Sequence, residues 1–571
     1  MQISVFRNLR YWCLYVVAGC SIPAQLFAQD VENIRQEKWV RATGNIGAMA
    51  NLYHAEGIAP RRVPFQWSAY GNATLFLKGV ALPFSFQYSE QQRDFRQPFN
   101  QFGLSPTYKW LKLHLGWRNL SWSNYTLNNH VFLGAAVELN PKKIRFGAMY
   151  GRFLKAVQED SAQQVYTKVS QYPVAAYNRF GYGFKLGYGT DAGFVDVIYF
   201  HAKDEMASVK ENPGIQQTTP GENATLGYKT RFRFLKHFTL ESDAAMSVLT
   251  RDLRADTLEL ENKYYKLARF ILVPHLSTQV YYAGDASLTY QLQRFSTSLK
   301  FQRLMPDYRS FGSYYFQTDV QRLTLAPQYY TKKGNLFLNA SIGTEHDNLA
   351  KKKLAQTRRT IGSATISYRP VSNAGITATY SNYGTTQRPG SKSISDTVIL
   401  NQVNNSIILS PYYMILGKQF NHAFLYNFLN QTLNDKNKIN SQNFSMTVIN
   451  HSISYSLNNN TNGFKADISV FTVKSKLTAG NGTNNGATMG LGRGYRKNTV
   501  NTYLSVTYSM NEFNGSKDGN TLQSRWNTTW KITRKNVLSA NLTFTNNNSK
   551  TGVLSKTFQE YLATIGFNHI F

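Results

Sequence analysis

From about Trp39 onward the chain is a succession of segments in which apolar and polar positions alternate. Leu538, Ala540, Leu542 and Phe544 alternate with Ser539, Asn541, Thr543 and Thr545, and Val500, Leu504, Val506, Tyr508 and Met510 with Asn501, Ser505, Thr507 and Ser509. Leu336 to Gly343 and Ile144 to Gly151 repeat the pattern. A period of two gives each segment one apolar and one hydrophilic face, which predicts β-strands. No window of comparable length has a helical period.

The connections alternate as well. Short turns fall at Lys78-Gly79, Trp110-Leu111, Leu235-Lys236-His237, Lys332-Lys333-Gly334, Gly417-Lys418 and Thr533 to Asn536. Between them lie longer polar segments, among them Lys155 to Val174, Asp204 to Pro220, Asp252 to Leu276, Thr386 to Ile399 and Lys474 to Gly486. Short periplasmic turns opposite long extracellular loops predict an all-β fold, a single large antiparallel transmembrane β-barrel. Roughly 12 short turns and 13 long loops give about 26 strands, with 24 as the alternative count. A row of soluble β-sandwiches supplies no reason for such alternation. The first strand, Arg41 to His54, is expected to pair with the last and remove both sheet edges.

Composition narrows this further. Hydrophobic residues are 42% of the 571 and the mean hydropathy is -0.38, too polar for a bundle of membrane-spanning helices. A barrel tolerates such values because half of every strand faces the lumen. Cys13 and Cys20 are the only cysteines, so no disulfide or cysteine-metal site is available downstream. Residues 1–28 carry Arg7 and Arg10, an apolar run from Tyr11 to Ala18 and a small residue at Ala28, the layout of a secretory signal peptide. Cleavage there leaves 29–38 as a short periplasmic segment and 39–571 as the barrel. Val17-Ala18-Gly19-Cys20 alternatively resembles a lipoprotein box, which would place a lipid on Cys20.

The net charge is +31, or +29 once a leader with two arginines and no acid is removed. In this setting the excess points to anionic lipid or polysaccharide, with no nucleic acid as partner. Many short turns are basic, including Lys142, Lys143, Lys236, Lys332, Lys333, Arg534 and Lys535, as suits turns lying against anionic headgroups. Trp110, Trp117, Trp122, Trp526 and Trp530 are candidates for interfacial girdles.

In the stretch YLATIGFNHIF, Tyr561, Ala563, Ile565, Phe567 and Phe571 form one apolar row. A terminal amphipathic strand closing on Phe resembles the assembly signal of bacterial outer-membrane β-barrel proteins. That resemblance implies a place in the cell outer membrane, contact with its lipids and lipopolysaccharide, and recognition of Tyr561, Ile565, Phe567 and Phe571 by the barrel-assembly machinery. His569 departs from the pattern, standing where an apolar residue is usual. The chain does not match two related families: strands beginning near residue 40 leave no room for the plug domain of TonB-dependent receptors. The lipopolysaccharide-export barrel has cysteines and a periplasmic domain that this chain lacks.

Candidate lumen residues follow from the turn at Leu235-Lys236-His237. If Phe234 pairs with Phe238, Arg231 stands opposite Glu241 and Lys229 opposite Asp243, on one face with Arg233. Leu226, Tyr228, Phe232, Leu240 and Ala244 then point the other way. Charges are costly against lipid, so Lys229, Arg231, Arg233, Glu241 and Asp243 are expected to line the lumen, as a charged constriction or as a structural ion-pair ladder. His451 and Ser454, three apart, face opposite sides of a strand and depart from the His-x-Ser spacing of outer-membrane phospholipase. Glu345-His346-Asp347 resembles the His-Asp pair of outer-membrane proteases, although a chance loop cluster is the plainer reading. No metal, cofactor or catalytic residue is expected. The pattern therefore favours a pore or translocation channel, not an enzyme, with a basic lumen suited to anionic solutes or polymers. So wide a barrel needs occlusion, by the loop Asp252 to Leu276 with its Asp252, Asp256, Glu259 and Glu261, or by a plug or surface partner protein. A surface-exposed scaffold barrel without transport is the second reading, and a barrel hydrolase a minor third.

Overall fold

The structure is a computed structural model. It describes residues 40–571 except 78–79, 90–100, 159–174, 210–217, 259–271, 315–316, 354, 390–399, 436–444, 479, 497–498 and 550–556. The leader, the segment 29–38, the turn Lys78-Gly79 and Glu259 and Glu261 thus lie outside the described residues.

Alternating side chains produce one continuous sheet of 28 strand segments. Gln101–Leu104 and Thr107–Tyr108 are two halves of a single wall strand, because both pair with Val80–Ser89 on one side and Leu111–Ser121 on the other. Gly312–Ser313 stands apart from the wall and pairs parallel with Leu127–Leu139. The wall proper is a closed barrel of 26 antiparallel strands, the number that the turns predict. Closure joins Val40–Glu56 to Phe558–Ile570, in register from Asn45 opposite Ile570 to Glu56 opposite Gln559. Asn45 Nδ2 donates to Asn568 Oδ1 at 3.0 Å, and Thr564 Oγ1 donates to Asn51 Oδ1 at 2.7 Å across this seam. With the first and last strands paired, no edge remains open.

The two faces of the wall are told apart by what they expose. Ile342, Ile453, Met489 and Leu491 are each about 60% exposed, and Leu226, Phe232, Trp526 and Phe567 belong to the same outward row. Apolar side chains exposed right round a closed wall form a belt for lipid. Twenty-six strands spaced about 4.8 Å apart and tilted by about 40° enclose a backbone diameter on the order of 50 Å.

Two expectations need correction. Lys474–Gly486 is no long loop: Lys465–Leu477 and Gly480–Tyr495 pair from Lys465 opposite Gly492 to Leu477 opposite Gly480, leaving a tight turn. The stretch GNGTNNG has the composition of a turn, but both of its edges are bonded in the barrel and its small residues face the lumen. Similarly, the strands flanking Thr386–Ile399 continue to Pro389 and resume at Leu400. Trp122 is also no girdle residue. It is 3% exposed, inside the barrel, and Trp117 is buried as well.

Candidate functional site

The hydrophobic core of this protein lies inside the barrel and on one side of it. Its residues come from two connecting segments that turn inward, Trp122–Thr126 and Met305–Tyr314, and from the wall they cover: Phe132, Met149, Phe153, Ile198 and Phe200. The wall there has a shallow floor, since Gly147 and Gly183 face the lumen directly beneath Trp122; a Cβ at Gly147 would lie 2.8 Å from the indole. Trp122 Nε1 donates to Glu138 Oε1 at 3.2 Å, and the same carboxylate meets His114 Nε2 at 3.3 Å and Lys185 Nζ at 3.6 Å. Lys185 in turn lies 5.7 Å from the indole centroid.

Polar contacts fasten the two segments to each other and to the wall. Ser123 Oγ and the Asn124 amide donate to Asp243 at 2.5 and 2.8 Å. Gln302 Nε2 donates to Tyr125 Oη at 3.0 Å, and Tyr308 Oη donates to the Tyr125 carbonyl at 2.6 Å. Asn223 accepts the Phe311 amide at 2.9 Å, while Ser247 Oγ donates to the Arg309 carbonyl at 2.6 Å. Arg179 holds Asp204 through Nε at 2.7 Å, with its guanidinium 3.4 Å above the Phe311 ring. Most buried polar groups of the two segments are satisfied by these bonds, the Thr126 hydroxyl being an exception.

The sequence-derived lumen candidates sit on this covered side. Arg231 stands opposite Glu241, with Nε 2.6 Å from Oε1, and Lys229 stands opposite Asp243. Asp243 directs its oxygens to Ser123 and Asn124, and the neighbouring Asp285 is paired with Lys300. Arg233 is exposed near the turn, opposite Thr239. A cluster that sequence reading set aside also belongs to the wall: Glu345 is buried between Arg322 (Nε to Oε2, 2.8 Å) and Arg359 (2.6 Å). His451 bonds Tyr426 at 2.8 Å on the outward face, while Ser454 faces inward opposite Ser469. Among the described residues no group of three or more metal-ligating side chains forms a site.

The loop from Asp252 to Leu276 is described only at its two ends. Leu272 packs on Ala224 and Val248, on the outward face, and the Leu258 amide donates to the Pro274 carbonyl at 2.9 Å. Arg254 forks onto Asp252 at 2.9 Å and, as the main cause, holds that carboxyl below its ordinary range.

Among the described residues nothing covers the other side of the lumen. From Thr357 to Phe571, glycines aside, Ser509 is the single inward-facing described residue that is buried. On the covered side Ala136, Met149, Ile198, Phe200, Asn223 and Asp243 are all buried.

At the seam Tyr561, Ile565 and Phe567 point outward and are 40 to 48% exposed. The Phe571 amide donates to the Gly44 carbonyl at 3.0 Å. His569, the departure from the apolar row, is held by Asn536 Oδ1 at 2.6 Å on the adjacent strand and edges onto the Phe571 ring.

No protein-family model matches the chain, and no curated protein matches it in sequence. Solved structures resemble it in outline. The P pilus usher (PapC) translocation pore is 11% identical, with 92% of this chain and 99% of that one covered and a TM-score of 0.38. The copper transporter OprC is 9% identical over 92% and 80%, with a TM-score of 0.38. The FrpB iron transporter from Neisseria meningitidis is 8% identical over 93% and 81%, with a TM-score of 0.37. A closed antiparallel wall with an apolar outer belt is the architecture of the outer-membrane β-barrel proteins, and it is the architecture of this chain.

Proposed function

We propose that the protein is an outer-membrane channel or translocation pore whose lumen is narrowed from one side only. The observation that carries this reading is the contrast between the two halves of the inner wall. A wall on the order of 50 Å across encloses far more space than two short inward segments fill, so a passage runs beside them. The segments are pinned by Asp243, Asn223 and Ser247 to one half, which makes them a fixed constriction.

The apolar belt and basic turns suit a bilayer with anionic headgroups on one side, and the row ending at Phe571 suits recognition by assembly machinery. No reaction is invoked. Glu345 is neutralised by two arginines, and His451 and Ser454 are divided by the wall.

Purified full-length chain in planar bilayers is expected to give stepwise conductance. Replacing 305–314 by a short glycine-serine link is expected to raise it. A barrel that inserts but conducts in neither form would overturn the reading.

A further inference from the structure

Charge is unevenly spread around the wall. The stretches 374–386, 400–416, 420–434, 445–459 and 536–549 contain no Asp, Glu, Lys or Arg at all. Most of their inward positions are hydroxyl and amide groups that bond one another from strand to strand, with Ile408, Leu425 and Leu429 as apolar positions among them. Thr365 and Thr379 meet at 3.3 Å, Ser410 donates to Asn427 at 2.9 Å, and Thr521 donates to Asn547 at 2.8 Å. Thr488 and Thr507 meet at 2.8 Å on the strands between. A hydroxyl or amide so engaged keeps further capacity to donate or accept. An ion passing along this wall gains little, because the wall itself carries few charged side chains. Away from strand ends, Asp467 and Arg525 are the charged residues that face inward between Ala374 and Ser549. The excess positive charge of the chain is therefore not presented to a permeant here.

A second feature lies on the same half. Three inward aromatic rings lie over glycines of the neighbouring strand: Tyr412 over Gly375, Phe471 over Gly486, and Tyr503 over Gly490 and Gly492. A Cβ at any of these glycines would come within 3 Å of the ring beside it. Glycine thus lets each ring lie flat against the wall, with its opposite face turned to the passage. All three rings are partly exposed.

We infer that the cargo of this passage is an uncharged, hydroxyl-rich chain, a neutral oligo- or polysaccharide, moving along the bare half of the wall; this rests on the pore reading above. A pyranose ring offers C–H groups on its faces and hydroxyls around its rim, which match flat aromatic platforms set among hydroxyl and amide groups. A polyanion finds no row of free cations here. A polypeptide of ordinary composition brings charged side chains that the wall does not match.

The test uses the full-length chain in planar bilayers, with a maltodextrin of roughly seven glucose units, a heparin oligosaccharide of equal length and an uncharged glycine-serine peptide as probes. Reversible current blocks are expected with the maltodextrin and not with the other two. Phe471→Ala combined with Tyr503→Ala should lower the maltodextrin association constant by about tenfold or more, since each stacking contact is worth on the order of 1 kcal/mol. Thr507→Val, which keeps the shape of the wall, should weaken the blocks without altering conductance. Normal conductance without maltodextrin blocks, or equal blocks by the peptide or the charged sugar, overturns the cargo and leaves the pore intact. Absence of conductance overturns the pore reading. Calorimetric titration of the detergent-solubilised chain with the same maltodextrin then judges the wall alone: binding weakened by the double variant supports the sugar surface, and no binding overturns it.

Discussion

Asp243 accepts the Asn124 amide at 2.8 Å, although 119 residues separate the two along the chain. With the Ser123 hydroxyl on its other oxygen, this carboxylate ties an inward segment to the wall. Hydrogen bonds to a charged acceptor are worth about 1.5–3 kcal/mol each. Asp243→Ala is therefore expected to loosen Trp122–Thr126 and give a larger, noisier single-channel conductance, with Asp243→Asn intermediate. A current trace indistinguishable from that of the unaltered chain would show that the tie does not hold the constriction.

Beneath the same segment, Gly147 leaves room for Trp122. A side chain there would meet the indole and cannot be relieved by moving the wall, whose strand is bonded on both sides. Gly147→Val is expected to expel Trp122 and to deprive Glu138 of the indole donor. Overpacking of this kind costs about 1–3 kcal/mol. Tryptophan emission shifted to the red and a lowered melting temperature are the expected readouts; Gly183→Ala, with a 3.2 Å approach, should do the same more mildly. Unchanged emission in both variants would contradict the placement of Trp122.

Arg231 and Glu241 form a 2.6 Å ion pair whose side chains are 35 and 45% exposed. Pairs so open to solvent contribute about 1 kcal/mol or less. They also lie on the covered half of the wall, away from the proposed passage. Arg231→Ala and Arg233→Ala are accordingly expected to leave anion-to-cation permeability ratios, measured as reversal potentials, where they were. A clear loss of anion preference would return these arginines to the permeation path.

What could be read in advance was whatever is local or periodic. Alternation gives the strands, and the turn at Leu235-Lys236-His237 sets the register that opposes Arg231 to Glu241, because a short turn leaves little choice of pairing. The inward segments escaped for the opposite reason. The contacts of Ser123 with Asp243, or of Tyr308 with Tyr125, join positions whose separation no period encodes. One signal was present: Gly147 and Gly151, then Gly181, Gly183 and Gly187, put glycines on a single face of adjacent strands. A floor that shallow inside a wide barrel calls for something to fill it. The first half of strand 480–495 was read as loop because glycine and asparagine usually mark turns, whereas here pairing on both edges supplies the order that the residues do not.

The clamp at Asp319 should respond to pH. The Asp319 carboxylate accepts the Leu349 amide at 2.8 Å and pairs with Lys353, whose ammonium also reaches Asp347 at 3.5 Å. Burial opposes the charge on Asp319, but the Lys353 ammonium and the Leu349 and Asn348 amides outweigh it and hold the carboxyl below its ordinary range. The bond to Asp319 raises Lys353 in turn. A depressed acid stabilises fully above its unfolded value, about 3.9, and loses that contribution as pH falls through the lower folded value. A raised lysine keeps its contribution below about 10.4 and loses it as pH climbs through the higher folded value. The clamp should therefore be intact across the neutral range and open on the acid side only below the ordinary carboxylate value of about 3.9, as pH falls through the lower folded one. Because the chain beyond residue 20 has no cysteine, a nitroxide at Ala350→Cys reports, once the leader is removed, the loop around Leu349 and Lys353 that the clamp ties to Asp319. Its mobility is expected to be constant across the neutral range and to rise only in acid beyond the ordinary carboxylate value of about 3.9, and Asp319→Asn should make it high throughout. A spin label that stays ordered in the Asp319→Asn background would mean that other contacts hold the loop.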